Sequence, residues 1–287
     1  MQELSVLIPV YNEERSVQAT LETIGKILSS AGITHELIAI DDGSVDRTPE
    51  ILNSIPGITV ITHRKNRGYG ASLKTGIRHA TYRTICITDA DSTYPNERIP
   101  DLFQHYLKNK LDMVVGSRTG EDVTYSSLKR IPKFFILRLA NYISNTRIPD
   151  INSGLRIFDR DIALSFFHLY PNGFSFTITI TLSMLCGGYE VDYLPINYFR
   201  REGKSKISPF RDTLNFFKIL LKIALYYNPF KFFTPVILVM GIFSTGVLIR
   251  DIFFLHDLTQ SGVFFPVITF LFFTLGLLAD LIIKRSH

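Results

Sequence analysis

The chain has 287 residues, 46% of them apolar and 20% charged, which is material for a substantial core and excludes disorder throughout. A formal charge of +5 suits nucleic acid or an anionic membrane surface, and the nearly charge-free composition from Phe232 onward favours a membrane and no nucleic acid. Cys86 and Cys186, with no CxxC or Cys/His cluster, argue against a disulfide scaffold or structural zinc and read as two buried core thiols.

In chain order, β-branched, apolar runs fall at Leu4–Val10, Glu36–Ile40, Ile58–Thr62, Thr84–Thr88 and Met113–Gly116, separated by helix-length segments. That alternation predicts a mostly parallel sheet flanked by helices. No basic and apolar leader precedes the first run, so export of this part is not expected. Glu13–Ser30 carries Val17, Leu21, Ile24 and Leu28 at helical spacing and ends at Ala31-Gly32. Asp46-Arg47-Thr48-Pro49-Glu50 reads as a turn into a second helix, with proline in its first turn. Lys129–Ile143 is a basic helix-like stretch, followed by a glycine-containing segment at Asn152–Arg156 and a basic loop at Arg200–Lys206.

Pro209–Asn228 is helical in pattern, with Phe210, Leu214, Phe217, Leu221 and Leu225 on one side and Arg211, Lys218 and Lys222 among its charges. Such a basic amphipathic helix beside an apolar tail reads as one lying in a membrane interface; an ordinary surface helix has the same pattern. Phe232–Ile249 and Leu258–Ala279 are charge-free stretches, each near the roughly 20 residues that span a bilayer. Lys218, Lys222, Lys231, Lys284 and Arg285 outnumber Arg250 across this hairpin, so the preceding domain and both termini are expected in the cytoplasm.

Ligands of open α/β sheets bind beyond the carboxyl ends of the strands. There lies Thr88-Asp89-Ala90-Asp91, whose two carboxylates suit one hard divalent cation, Mg2+ or Mn2+, while leaving room for phosphate oxygens. An isolated Asp-x-Asp is as well explained as a solvated loop; its place after a strand favours the metal. Asp41-Asp42-Gly43-Ser44 offers carboxylates for base or ribose hydrogen bonds and also fits an N-capping turn. Pro9-Val10-Tyr11-Asn12-Glu13 and Arg64-Lys65-Asn66-Arg67-Gly68-Tyr69-Gly70 fall on the same sheet edge.

With Gly116-Ser117-Arg118 added, these motifs in this order make the chain resemble the family 2 glycosyltransferases of GT-A fold, in their dolichyl- or polyprenyl-phosphate mannose synthase-like branch. The resemblance runs over about residues 4 to 207 and implies an α/β, Rossmann-like GT-A catalytic domain (1–207), then the interfacial helix (208–230) and a transmembrane hairpin (231–287). It implies that Pro9, Tyr11, Glu13, Asp41, Asp42, Asn66, Gly68 and Ala90 meet a GDP- or UDP-sugar, that Asp89 and Asp91 hold the metal, and that Arg118 faces the phosphates. It also implies a polyprenyl phosphate acceptor met by Ser153 of Asn152–Arg156 and by Arg200 and Lys206, with Arg130 aligned more loosely. Thr93 stands where many relatives have Gln after the Asp-x-Asp, so no third metal ligand is assigned.

The expected reaction is inverting hexose transfer to polyprenyl phosphate. A phosphate acceptor, already ionised near neutral pH, needs no protein base, in keeping with His63, His79, His105 and His168 reading as helix or loop residues. The runner-up is transfer to a saccharide hydroxyl. The chain has no Trp and lacks the Gln-x-x-Arg-Trp signature of processive synthases, and both metal carboxylates argue against a non-catalytic scaffold. A homo-oligomer is compatible with all of this.

Overall fold

The computed structural model describes residues 2–119, 130–199 and 209–286, with the side chains of 130–135, 209–215 and 284–286 outside that description. The chain divides into two compact units, Met1–Phe216 and Phe217–His287.

The first unit opens with β1 (Glu3–Val10), α1 (Val17–Ser30), β2 (Thr34–Asp41), α2 (Thr48–Ser54), β3 (Ile58–Thr62), α3 (Tyr69–His79) and β4 (Thr84–Ile87). It continues through α4 (Ile99–Lys108), β5 (Met113–Ser117), α5 (Arg130–Ser144), β6 (Arg156–Asp159), α6 (Arg160–Ser165), α7 (Phe176–Cys186) and β7 (Val191–Pro195). The sheet order is β3-β2-β1-β4-β6-β5-β7. β1 runs parallel to β2 and β4, β2 to β3, and β5 to β7, whereas β6 is antiparallel to both of its neighbours. The sheet is thus mostly parallel, as the alternation predicts, with one reversed strand. That strand is Arg-Ile-Phe-Asp, too short and too charged at its ends to stand out as an apolar run.

Two layers cover the sheet. Val17, Leu21, Ile24 and Leu28 of α1 and Leu102 and Phe103 of α4 bury against one face. Leu73 and Ile77 of α3 and Phe176, Ile180 and Met184 of α7 bury against the other. The expected helix from Glu13 begins at Val17, preceded by a turn in which the Glu13 carbonyl accepts from the Ser16 and Val17 amides. α7 is rich in β-branched residues and still helical. It is enclosed along most of its length, and Thr179 and Thr181 donate back to the Ser175 and Thr177 carbonyls at 2.9 and 2.8 Å. Cys86 is buried, but Cys186, at the helix end, is only half-buried, contrary to the expectation of two core thiols.

The second unit contains the end of α8 (Pro209–Tyr227), then α9 (Pro229–Arg250) and α10 (Gln260–Ser286). In the described part of α8, Leu220, Ile223 and Ala224 are buried, while Phe217 and Leu225 of the expected apolar stripe are exposed. Pro229–Leu255 and Gln260–Ile283 are long and apolar enough to cross a membrane, each with a mean hydropathy of 2.2. Val239, Ile242, Phe270 and Ile282 stay exposed, as suits helices whose outer surface meets lipid. α9 and α10 pack through Phe230 with Phe273 and Phe243 with Phe265, at ring separations of 5.9 and 4.8 Å. At their turn, Asp251 is fully enclosed and accepts from the Thr259 amide at 2.9 Å, the Thr259 hydroxyl at 2.5 Å and the Arg250 guanidinium at 2.6 Å.

Candidate active site

A cavity of about 540 Å³ opens beyond the carboxyl ends of β1, β2 and β4. Its walls include Pro9, Tyr11, Glu13, Asp42, Asn66, Gly68, Asp89, Ala90 and Asp91, so most of the residues singled out in the sequence meet in one place. Parallel strands cause this, since each ends at the same edge and hands its loop to the same cleft.

Asp42 does more than line the cleft. One of its oxygens accepts from the Arg67 amide at 2.9 Å and bonds His63 Nδ1 at 2.7 Å, and the other accepts from the Gly68 amide at 2.7 Å. His63 Nε2 in turn meets the Thr75 hydroxyl at 2.9 Å. The loop after β3 is thereby tied to the end of β2. Asp41 is buried beside it and is not among the cavity residues; its Oδ1 accepts from the Ser44 amide at 3.0 Å, and its Oδ2 is enclosed without a hydrogen-bond partner. The Asn12 carboxamide and the Ser44 hydroxyl cross-link the loops after β1 and β2, with Val45 N to Asn12 Oδ1 and Asn12 N to Ser44 Oγ both at 2.9 Å.

Asp89 and Asp91 follow β4. The Asp91 carboxylate is oriented by Thr93, whose hydroxyl and amide reach Oδ1 at 2.6 and 3.2 Å. Asp89 lies against Gly154: β4 and β6 pair antiparallel up to Ile87 opposite Arg156, and continuing that register sets Asp89 opposite Gly154. A Cβ at Gly154 would come within 3.1 Å of Asp89 Oδ2, so only glycine leaves the carboxylate its place. The Gly154 amide is held by the Tyr94 hydroxyl at 2.6 Å. Burial first, and then the negative charge of Asp89, pushes the Tyr69 phenol well above its ordinary pKa, so it stays protonated beside that carboxylate. Two carboxylates on the wall of one cavity suit a hard divalent cation, and no group of three His, Cys, Asp or Glu gathers among the described residues. A hard cation held by two carboxylates has further coordination positions that phosphate oxygens and water can fill.

Arg118 and Ser153 are placed outside the cavity wall. Arg118 forms a bidentate pair with Asp150 at 2.7 and 3.0 Å and lies 5.2 Å from the Tyr198 ring. Burial works to raise the Asp150 pKa, but hydrogen bonds and charge from Arg118 outweigh it and hold the carboxyl below its usual value. Ser153 is fully buried, and its hydroxyl donates to the Gly116 carbonyl at 2.5 Å. Arg130 starts α5, but its side chain lies outside the described residues, as do Arg200 and Lys206 entirely.

Tyr69, Ser72 and Phe174 line the cavity without having been singled out. Tyr69 lies inside Arg64–Gly70 between two glycines, whereas Pro-Asn-Gly-Phe carries no sequence signal that marks Phe174. Arg156 is fully buried, donating to the Ser153 and Thr177 carbonyls and the Thr181 hydroxyl, and so holds the segment that carries Gly154.

The chain is 29% identical over 224 residues to a dolichyl-phosphate hexose transferase of Haloferax volcanii, covering 78% of this chain and 94% of that protein. It is 30% identical over 163 residues to a prophage bactoprenol glucosyl transferase homolog of Escherichia coli, covering 55% of this chain and 53% of that one. Among solved structures, glucosyl-3-phosphoglycerate synthase of Mycobacterium tuberculosis, in complex with Mn2+, UDP-glucose and phosphoglyceric acid, superposes with a TM-score of 0.62 at 15% identity. That match covers 78% of this chain and 80% of the other, which places the two in one fold, the GT-A arrangement. The family model for glycosyl transferase family 2 matches residues 5–167, the stretch that supplies every cavity residue except Phe174. The chain belongs to glycosyl transferase family 2.

Proposed function

We propose that this transferase moves a hexose-type sugar from a GDP- or UDP-sugar to a polyprenyl phosphate, with inversion and with a divalent metal, at the cytoplasmic face of a membrane. The observation that carries the reading is the cavity in which Asp89 and Asp91 face the loops of Tyr11, Asp42 and Asn66, so that one nucleotide diphosphate would reach from those loops to the carboxylates. The lipid acceptor is supported by a relative named as a dolichyl-phosphate hexose transferase, nearly all of whose length this chain matches, together with two apolar helices.

Asp89 and Asp91 would hold the metal, which when bound supplies positive charge against the departing diphosphate. Thr93 and Gly154 keep the two carboxylates in place for it. Among the described residues no histidine lines the cavity, and the proposed reaction requires none, because a phosphate monoester with a second pKa of about 6 is already a nucleophile at neutral pH. Transfer then rests on orientation and on charge arranged in advance. Arg118, whose charge is shared with Asp150 outside the cavity wall, is proposed to turn toward the phosphates when the donor binds, and Arg130, Arg200 and Lys206 are proposed to form the acceptor side. Ser153, fully buried with its hydroxyl on the Gly116 carbonyl, shapes the segment behind the site and does not meet the acceptor.

The test is transfer by purified protein from radiolabelled GDP- and UDP-sugars to a short polyprenyl phosphate in detergent, with and without Mn2+. Metal-dependent label in the lipid product is expected. Label passing instead to a saccharide hydroxyl, or undiminished transfer in chelator, would overturn the corresponding part of the proposal. Arg200→Ala and Lys206→Ala should lower transfer while leaving nucleotide-sugar affinity unchanged; equal turnover and acceptor KM would remove them from the site.

A further inference from the structure

The loop before α7 presses on the beginning of α3. Gly68 has φ +99°, and a Cβ there would stand 2.5 Å from the Asn172 carbonyl oxygen; one on Gly70 would collide with the Pro171 carbonyl. The Ala71 amide donates to that same Asn172 oxygen at 3.0 Å, and Lys74 Nζ donates to the Tyr170 carbonyl at 3.2 Å. Both glycines are thus spent on letting this loop approach. What the approach achieves is a ring pair: Phe174 stacks on Tyr69 with centroids 5.6 Å apart and planes at 21°, and both rings line the cavity.

We propose that the Tyr69–Phe174 pair is the wall against which the donor's sugar ring packs, and that it helps to set which sugar is accepted. The inference rests on the donor reading proposed above and extends it to a residue beyond the stretch that matches the family model. The pair's position favours the sugar over the base. The hydroxyl end of Tyr69 is buried beside Asp89, at the metal and diphosphate end, whereas Pro9, Asp42 and Asn66 stand at the loops of β1 to β3. A hexose just beyond the diphosphate offers C–H groups on its ring faces, and those pack well on an aromatic surface with few competing polar groups.

Calorimetry of the full chain with Mn2+ tests this, comparing UDP with UDP-glucose and GDP with GDP-mannose in wild type, Phe174→Ala and Phe174→Leu. For the pair that wild type binds, Phe174→Ala should weaken the sugar nucleotide about five-fold or more, while the bare diphosphate changes by less than about two-fold. Phe174→Leu, which keeps apolar bulk, should recover part of the loss. Retained diphosphate binding also shows that the variant folds. Equal weakening of both ligands would place the pair under the base or the diphosphate, and no change would remove it from the donor site; either result overturns the inference and leaves the donor reading standing. Wild-type protein that binds none of the four ligands would overturn the donor reading, and this inference with it.

Discussion

The carboxylate of Asp89 and the α-carbon of Gly154 face one another where β4 ends and β6 begins, leaving a hypothetical Cβ only 3.1 and 3.2 Å from the two carboxylate oxygens. The same Cβ would stand 3.1 Å from the Tyr94 ring, which is buried and cannot retreat. Gly154→Ala should therefore push Asp89, the softer neighbour, out of position. Misplacing a catalytic group by a fraction of an ångström costs roughly ten- to a hundred-fold in turnover. Steady-state assays across Mn2+ concentrations should show lower turnover and a higher metal requirement, with the melting temperature little changed.

Removing the charge without the bulk separates chemistry from packing. If Asp89 and Asp91 hold the proposed metal, Asp89→Asn and Asp91→Asn each delete an anionic oxygen ligand, and transfer should fall by a factor of roughly a hundred or more. Thr93→Val should do less, because it only releases Asp91 from a 2.6 Å hydroxyl contact. Wild-type-like turnover in both Asn variants would show that the pair holds no catalytic metal.

His63 reads from the sequence as a helix or loop residue and lies in the loop after β3, where the structure ties it between Asp42 and Thr75. His63→Ala removes one bond to a carboxylate that also orders the Arg67 and Gly68 amides, and costs roughly 1–3 kcal/mol of stability. The loop that bears Asn66 should loosen with it. Denaturation should report the lost stability, and calorimetry should report weaker nucleotide binding, with turnover at saturating donor affected less than KM.

The sheet edge was legible because five runs of β-branched residues each hand over to a polar motif, and parallel strands ending together bring such motifs into one cleft. β6 was hidden for the opposite reason. Its four residues begin with Arg156, and only the fold reveals that this guanidinium is fully enclosed by carbonyls and a hydroxyl. Proximity across long sequence gaps was equally invisible: Gly154 to Asp89, Asp150 to Arg118 and Phe174 to Tyr69 depend on which strands and loops become neighbours. Asp41 and Asp42 look equivalent as a dipeptide, yet Asp41 is the last residue of β2, buried and bonded to the Ser44 amide, whereas Asp42 is the first residue beyond the strand and lines the cleft.

The apolar helices carry a topology that tags can test. With Lys218, Lys222 and Lys231 before α9 and Lys284 and Arg285 near the end of α10, tags at Met1 and His287 should lie on the same side of sealed vesicles. Protease access to the turn at Asp257 should come only from the other side. Cleavage there from the side that bears both tags would overturn the hairpin's orientation.

Acid should weaken the Arg118–Asp150 pair, in which the Asp150 side chain is 2% exposed and that of Arg118 is 13% exposed. Burial alone would raise the Asp150 pKa, and Arg118 more than reverses it, so the folded value lies below the unfolded one of about 3.9. A group depressed in this way stabilises the fold fully above its unfolded pKa and loses that contribution as pH falls through the folded one. Asp150→Asn keeps the shape but removes the charge, leaving a nearly buried guanidinium with weaker partners, and should cost about 3 kcal/mol at pH 7. Lowering the pH protonates wild-type Asp150 and makes the two proteins alike. The stability gap measured by denaturant should thus hold steady from pH 7 to about 5 and narrow below about 4. A gap that stays constant to the lowest pH at which both proteins fold would mean that the pair's charge contributes nothing, and that hydrogen bonds alone hold Arg118 in place.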